Sequence, residues 1–173
     1  MKKIVALALM SSVLLTTACA QQDKSQRASP PAVATQKIPG GSVITINYSQ
    51  PSLKGRTIGE DLEPKKGKVW RMGANEATVF ETSRDITVEG KTLKEGRYSL
   101  FGLLTDDGIT LIFNEAADIW GTTYEKNKEK DVLKVNVPVK TAATSKEKLE
   151  YTIDASGKVS LQWGTMLVDF QLK

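Results

Sequence analysis

The chain of 173 residues contains no histidine, and its single cysteine is Cys19. For the chain acting alone, these absences exclude Ser-His-Asp and Cys-His catalysis, histidine-ligated zinc, thiolate metal sites and histidine-ligated haem. Any chemistry would have to come from Asp, Glu, Lys, Arg, Tyr or Ser side chains, or from an oxygen-ligated ion. The sequence therefore favours a protein without catalytic activity or cofactor, but it does not decide whether the protein is an enzyme.

After residue 20 the chain has no run of the roughly 18 apolar residues that a membrane-spanning helix requires. It also lacks a sustained basic stripe, because lysines alternate with acidic residues in Glu60–Lys66 and Glu125–Asp131. Loss of Lys2 and Lys3 with a leader would change the balance of basic to acidic residues from 24 against 20 to 22 against 20. Interleaved charges are typical of a solvated face, so we expect no nucleic-acid partner.

The amino-terminal residues follow the order of a secretory leader. Two lysines precede the mostly apolar run Ile4–Leu15, and small residues come next. Thr16-Thr17-Ala18-Cys19 resembles the bacterial lipobox, whereas Ala18-Cys19-Ala20 fits ordinary signal peptidase. We predict that residues 1–19 are a lipoprotein signal peptide with its lipobox cysteine, and that acylated Cys19 anchors the exported chain to a membrane of the bacterial cell envelope. The alternative is a soluble periplasmic protein.

Residues 20–40 consist of Gln, Ser, Ala, Lys and Pro with almost no large apolar residue, so we expect a flexible tether. In residues 41–173, which we expect to form a single domain, strand-like runs alternate with turn residues every eight to twelve positions. Asp106-Asp107-Gly108 predicts a hairpin that pairs Ile109–Phe113 with Leu100–Leu104. The pattern predicts an all-β fold, an antiparallel β-sandwich or jelly roll of eight or nine strands. A flattened β-barrel is the alternative.

The run Lys68–Thr78 places a tryptophan, an arginine, a glycine and an Asn-Glu pair within seven positions. Together with Arg27–Pro31, Tyr48–Arg56, Gly96–Phe101 and Trp120-Gly121, it resembles the DUF2911 family of bacterial exported proteins. The resemblance extends from about Arg27 to the carboxyl end. It implies an exported β-rich domain, and it implies no mechanism because the family is named for lacking an assigned function.

Trp70, Arg71, Asn75 and Glu76 are the candidate binding residues of this run. The planar fork of Arg71 suits a carboxylate or phosphate, and the amide of Asn75 suits a sugar or another amide. The competing interpretation is structural: Arg71 pairs with Glu76, Asn75 caps a turn, and the run holds a loop against the sheet. Gly73 fits both interpretations, since each needs an unusual backbone angle or a close approach.

Two tryptophans outside the run have different expected roles. Trp120 lies beside Gly121 in a loop and is a candidate platform for stacking on a sugar ring. Trp163 ends an alternating strand and is expected in the core. We predict no metal site, because a hairpin turn accounts for Asp106-Asp107-Gly108 and the spacing lacks the calcium-loop pattern.

These observations lead us to expect a cell-envelope lipoprotein domain that binds a small ligand, a glycan or a partner protein without catalysing a reaction. The alternative is a carboxylate-based hydrolase acting on envelope glycans. Such an enzyme needs a second Asp or Glu about 5 to 10 Å from Glu76 across an open cleft. The surroundings of Glu76 therefore discriminate between the two functions.

Overall fold

A computed structural model describes residues 23–173 of the chain. The predicted signal peptide and Cys19 lie outside the described residues. The described part contains eleven strands and three short 3₁₀ helices, which cover Lys24–Gln26, Tyr124–Lys126 and Lys128–Lys130. Within residues 23–173, no helix has the length and apolar character needed to cross a membrane.

The strands follow one another through tight turns and are numbered in chain order: β1 (Pro31–Lys37), β2 (Val43–Ser49), β3 (Val69–Trp70), β4 (Thr78–Thr82), β5 (Ile86–Val88), β6 (Lys91–Leu93), β7 (Gly96–Thr105), β8 (Gly108–Asn114), β9 (Asp131–Val137), β10 (Val139–Ile153) and β11 (Lys158–Gln171). In β2 and β9, buried residues alternate with more exposed ones, as expected when one face of a sheet covers a core. The period of two in the sequence therefore determines which face of each strand is buried.

Seven strands form one antiparallel sheet in the order β1-β2-β4-β7-β8-β9, and the short β3 pairs with β7 beyond the end of β4. The long hairpin β10–β11 and the short hairpin β5–β6 form two further antiparallel pairs. Main-chain hydrogen bonds in both directions between Thr87 and Lys173 join these two hairpins. The large sheet ends at β1 and β9 and is not closed into a barrel, so the all-β, antiparallel sandwich prediction is confirmed.

Two aromatic pairs connect the large sheet to the hairpin β10–β11. Tyr48 meets Tyr151 edge to face with ring centroids 4.8 Å apart, and Trp70 stacks on Trp163 at 6.3 Å. All four rings are buried, which confirms the core position expected for Trp163. Large aromatic rings bury much apolar surface, and these pairs thus fix how the two layers pack.

The opposite face of β7 and β8 carries a smaller apolar cluster around Phe101 and Ile112. The segment between β8 and β9 covers this cluster, and Tyr124 packs on Phe101 with ring centroids 4.9 Å apart. The Tyr124 hydroxyl donates a hydrogen bond of 2.7 Å to Asp131 Oδ2, which holds the segment at its far end. We call the face of the large sheet that bears this cluster the outer face.

The tether expected for residues 20–40 is wrong for residues 31–37, which form β1. This strand pairs with β2 along its whole length, from Pro31 opposite Ser49 to Lys37 opposite Val43. An edge strand needs main-chain hydrogen bonds and one modestly apolar face, and the small residues Ala32 and Ala34 suffice because they pack against the core. The composition of residues 31–37 indicates disorder, because it does not reveal their main-chain hydrogen-bond partners. Those partners lie in β2.

The structure has more strands than the eight or nine expected, for local reasons. β1 lies within the predicted tether, and β3 is two residues long, too short to show a pattern. At the carboxyl end, the strand expected to end at Trp163 continues through Gly164, at a φ of 56°, to form β11 as far as Gln171. The predicted hairpin at Asp106-Asp107-Gly108 is confirmed, with Leu100 opposite Phe113 and Leu104 opposite Ile109.

We expect the Gly108→Ala variant to be less stable than Gly90→Ala. Both glycines have positive φ angles, of 131° and 79°, but a Cβ at Gly108 would lie 2.3 Å from the Val137 carbonyl oxygen, whereas nothing lies within 4 Å at Gly90. The left-handed conformation costs a non-glycine residue roughly 1–2 kcal/mol at either site, and the clash at Gly108 adds about 1–3 kcal/mol. Urea unfolding of both variants measures the difference, and equal losses would contradict the steric explanation.

Candidate functional site

Residues 70–78, which we call the motif loop, connect β3 to β4. Met72 and Asn75 adopt left-handed φ angles of 54° and 59° within the run of bends at residues 72–75. The buried Met72 carbonyl accepts hydrogen bonds from Thr78 Oγ1 at 3.0 Å and from Tyr151 Oη at 2.9 Å. Because Tyr151 belongs to β10, this carbonyl ties the motif loop to the second layer of the sandwich.

Trp70 and Gly73 hold the beginning of the motif loop in place. The Trp70 side chain is 1% exposed, and its indole N–H donates to the Gly73 carbonyl at 3.1 Å. A Cβ on Gly73 would lie 2.9 Å from Thr78 Oγ1 and 3.1 Å from the Ser49 carbonyl oxygen. The close approach of these atoms, and not a positive φ angle, therefore requires glycine at position 73. Trp70 itself lies in the core.

Glu76 and Trp120 face each other across an isolated antiparallel bridge between the motif loop and the loop after β8. Two main-chain hydrogen bonds flank the pair: Ala77 N–H to the Ile119 carbonyl at 3.0 Å and Gly121 N–H to the Asn75 carbonyl at 3.2 Å. Directly opposed residues in such a bridge have Cβ atoms about 4.5–5.5 Å apart on one face. Trp120 is half exposed, so the bridge places a solvent-facing indole beside a carboxylate.

Residues 23–30, which we call the strap, cross the motif loop and are bound to it by side chains. Arg27 Nη1 donates to both carboxylate oxygens of Glu76 at 3.0 Å, and Lys24 Nζ donates to Glu76 Oε1 at 3.0 Å. The Asn75 amide donates to the Ser29 carbonyl at 3.0 Å. Asn75 and Glu76 therefore attach the amino-terminal segment to the domain.

Glu76 is ionised over the physiological pH range. Burial disfavours its charge, but its own backbone N–H and the side chains of Arg27 and Lys24 outweigh burial and lower the pKa of Glu76 from its ordinary 4.5 to about 2. A carboxyl group with this pKa accepts hydrogen bonds and holds no proton to donate near neutral pH.

A cleft of about 230 Å³ opens between the strap, β2 and the motif loop. Two cations and two carboxylates line it, together with smaller polar and apolar residues: Lys24, Arg27, Glu76, Asp118, Asn47 and Val79. Asp118 accepts hydrogen bonds of 2.7 and 2.9 Å from Arg97 Nη2. In residues 23–173, no three side chains of the metal-ligating types come together as ligands of an ion.

Arg71 does not join this cleft. Its Cδ lies 1.9 Å from the position of a Cβ on Gly121, so its side chain crosses that glycine. The expected Arg71–Glu76 ion pair is wrong, because the partners of Glu76 are Arg27 and Lys24. Of the predicted site residues, the structure brings Asn75, Glu76 and Trp120 together and places Trp70 in the core.

Sequence reasoning missed Lys24, Arg27 and Asp118 as parts of the site. One signal was available, because the family-like segment Arg27–Pro31 lies within the residues assigned to the tether. The family similarity indicates that this segment is ordered. Its composition, which is poor in large apolar residues, does not.

A family model described as "Protein of unknown function (DUF2911)" matches residues 29–172 of the chain. The matched range contains the motif loop, Trp120 and all eleven strands. No curated protein and no solved structure matches the chain.

We expect the ion pairs of Glu76 to make stability depend on pH in a defined window. The folded-state pKa of Glu76, about 2, lies below its ordinary 4.5, so the stabilisation is complete above about pH 5 and is lost as the pH falls through about 2. Because Glu76 is partly exposed, solvent screening limits the effect to about 1 kcal/mol. Urea unfolding of wild type and Glu76→Gln from pH 6 to pH 2 measures it.

The wild-type advantage over Glu76→Gln should shrink across this window. The control is Glu125→Gln, which removes an exposed pair with Lys128 between neighbouring 3₁₀ helices. Its stability relative to wild type should change little with pH. A constant difference between wild type and Glu76→Gln from pH 6 to pH 2 would show that the strap contributes no ion-pair stabilisation.

Proposed function

This chain belongs to the DUF2911 family of proteins of unknown function, and we propose that it is a non-catalytic binding domain of the bacterial cell envelope. Its ligand is a neutral glycan that occupies the cleft between the strap and the motif loop. The observation that carries this proposal is the half-exposed Trp120, which a β-bridge pairs with Glu76, the residue whose carboxylate lines that cleft.

The indole of Trp120 supplies the apolar part of the interaction. Sugar rings have one face of C–H groups that packs well on a flat aromatic surface. Trp70 and Trp163 are 1% and 2% exposed, whereas Trp120 is 50% exposed. Within the described residues, Trp120 is therefore the tryptophan positioned to stack on a ligand.

The carboxylates supply acceptors for sugar hydroxyl groups. The two oxygens of an ionised carboxylate offer about four acceptor positions in total. Among side chains, Lys24 and Arg27 donate to Oε1 of Glu76, whereas only Arg27 donates to Oε2. Glu76 Oε2 thus retains an acceptor position for a ligand hydroxyl.

The charges of the cleft favour a neutral ligand. Lys24 and Arg27 balance Glu76 and Asp118, so the lining carries no net charge. Arg27 and Glu76 are also already paired, and a strongly charged ligand would have to break that pair. Hydroxyl groups can add hydrogen bonds to the existing pair, which suits a neutral polyol such as a glycan.

The second candidate is a hydrolase acting on envelope glycans, and one observation favours it: Asp118 lines the same cleft as Glu76. A two-carboxylate glycosidase needs one carboxyl group that is protonated at working pH, and its environment usually raises that pKa. The environment of Glu76 lowers its pKa to about 2 instead. This favours binding over hydrolysis, with Glu76 as an acceptor.

We also propose that acylated Cys19 holds the domain at a membrane. The strap begins at Asp23, four positions after Cys19, and four residues span at most about 14 Å. A lipid on Cys19 would therefore keep the cleft near the bilayer surface, where envelope glycans are accessible to it.

Titration calorimetry with oligosaccharides of N-acetylglucosamine and of glucose, and with soluble peptidoglycan fragments, tests the glycan proposal. We expect saturable binding of at least one of these probes, weakened tenfold or more by Trp120→Ala and several-fold by Glu76→Gln. The matched control is Val132→Ala, because Val132 is 46% exposed, similar to Trp120, and lies in edge strand β9. Its affinity should equal that of wild type.

The same samples distinguish binding from hydrolysis. Prolonged incubation with each oligosaccharide should release no new reducing ends. Release that disappears in both Glu76→Gln and Asp118→Asn would establish the hydrolase. Absence of binding to all the probes, or equal weakening by Val132→Ala and Trp120→Ala, would refute the proposed glycan site.

Metabolic labelling with a fatty acid tests the anchor. We expect the wild-type chain to incorporate label and to fractionate with membranes, and Cys19→Ala to do neither, because Cys19 is the single cysteine. The control is Thr16→Ala, which changes the lipobox-like segment and leaves the acyl acceptor in place. Label retained by Cys19→Ala would exclude acylation of this cysteine.

A further inference from the structure

Arg71 differs from the other four arginines of the chain in the use of its guanidinium group. Each of the others donates side-chain hydrogen bonds to protein groups: Arg27 to Glu76, Arg56 to the Leu53 and Ser52 carbonyls, Arg84 to the Gly40 carbonyl, and Arg97 to Glu81 and Asp118. In residues 23–173, Arg71 donates none, and its Nε is buried without a partner. Buried polar groups in proteins are nearly always hydrogen-bonded, so this arginine needs an explanation.

The position of Arg71 is determined by its neighbours. Trp70 points into the core, and alternation along the chain directs the next side chain to the outer face. There the Arg71 stem crosses Gly121, where a Cβ would lie 1.9 Å from its Cδ. The Arg71 stem therefore packs on the segment that covers Phe101, and Arg71 does not line the cleft of Glu76.

Packing of the stem alone does not account for an arginine here. Lysine or methionine would cover Gly121 with similar methylene groups, without burying an Nε–H donor that has no partner. Burial lowers the pKa of Arg71, and Glu63 opposes this effect, yet the two form no salt bridge in the described part of the chain. The guanidinium remains charged at any physiological pH, so the fold retains a partly buried cation with unused donors.

We propose that Arg71 is the anchor of an oxyanion subsite on the outer face, where a carboxylate or phosphate group of a ligand accepts hydrogen bonds from the unused N–H donors. Both groups present two oxygens in the geometry that a guanidinium binds bidentately. The subsite is separate from the cleft of Glu76, because Arg71 does not line that cleft. It goes beyond the proposed glycan site and does not depend on it.

The Nε–Hε resonances of the arginines in the folded, ¹⁵N-labelled chain from residue 20 onward test the proposal. Inorganic phosphate and acetate are the two probes, each added against sodium chloride at equal ionic strength. We expect a saturable shift of the Arg71 resonance at millimolar concentrations of at least one probe. Arg56 and Arg84, which bond to main-chain carbonyls, serve as internal controls and should not saturate. The stronger probe identifies the class of oxyanion.

Arg71→Lys assigns the resonance and supplies the matched variant. It keeps the charge and most of the stem but lacks the bidentate fork, so phosphate or acetate should raise the melting temperature of wild type and not that of the variant. If the variant does not fold, Arg→Lys changes at the other four positions assign the Arg71 resonance by elimination. An Arg71 resonance that follows chloride equally, or shifts no more than those of Arg56 and Arg84, would overturn the proposal.

Discussion

The arrangement of the site depends on a buried carbonyl, that of Met72. Its residue adopts a left-handed φ of 54°, and its oxygen accepts hydrogen bonds from Thr78 and Tyr151 in the interior. A buried carbonyl without partners would cost about 1–3 kcal/mol, so these two hydroxyl groups stabilise an otherwise unfavourable turn. Since Thr78 begins β4 and Tyr151 belongs to β10, the same contact fixes the motif loop relative to both layers of the sandwich.

The motif loop consequently has an inner part and an outer part with different roles. The inner part, with Trp70 stacked on Trp163, contributes to the core. The outer part presents Asn75 and Glu76 to the strap, and Glu76 also to Trp120. Structural and functional interpretations of this run are therefore compatible, because neighbouring residues point in different directions.

The electrostatic surroundings of Glu76 and Arg71 also differ. On the cleft side, Glu76 is satisfied by Arg27 and Lys24, and the balanced charges suit neutral hydroxyl groups. Arg71, by contrast, is held over Gly121 outside the cleft lining, with donors that no group in residues 23–173 uses. A pattern that places Arg71 and Glu76 five positions apart suggests one site, whereas in the fold Glu76 lines the cleft and Arg71 packs on Gly121 outside the cleft lining.

The sequence by itself determined the features that depend on neighbouring residues. Alternation in β2 specified a half-buried strand, Asp-Gly specified the β7–β8 hairpin, and Trp163 in an alternating strand specified a core position. Turn chemistry and the two-residue period are local, so they are readable without a fold. The resemblance of the Lys68–Thr78 run to one family was readable in the same way, and a match over residues 29–172 confirmed it.

Only the tertiary structure decided which distant groups meet. Arg27 and Lys24 lie 49 and 52 positions from Glu76, and β1 is ordered by β2 although its composition indicates a tether. These contacts depend on strand register and on the path of the motif loop, which are set by the packing of the whole sandwich. For that reason the sequence pattern indicated Glu76 as a site residue, whereas its partners Arg27 and Lys24 could be identified only from the fold.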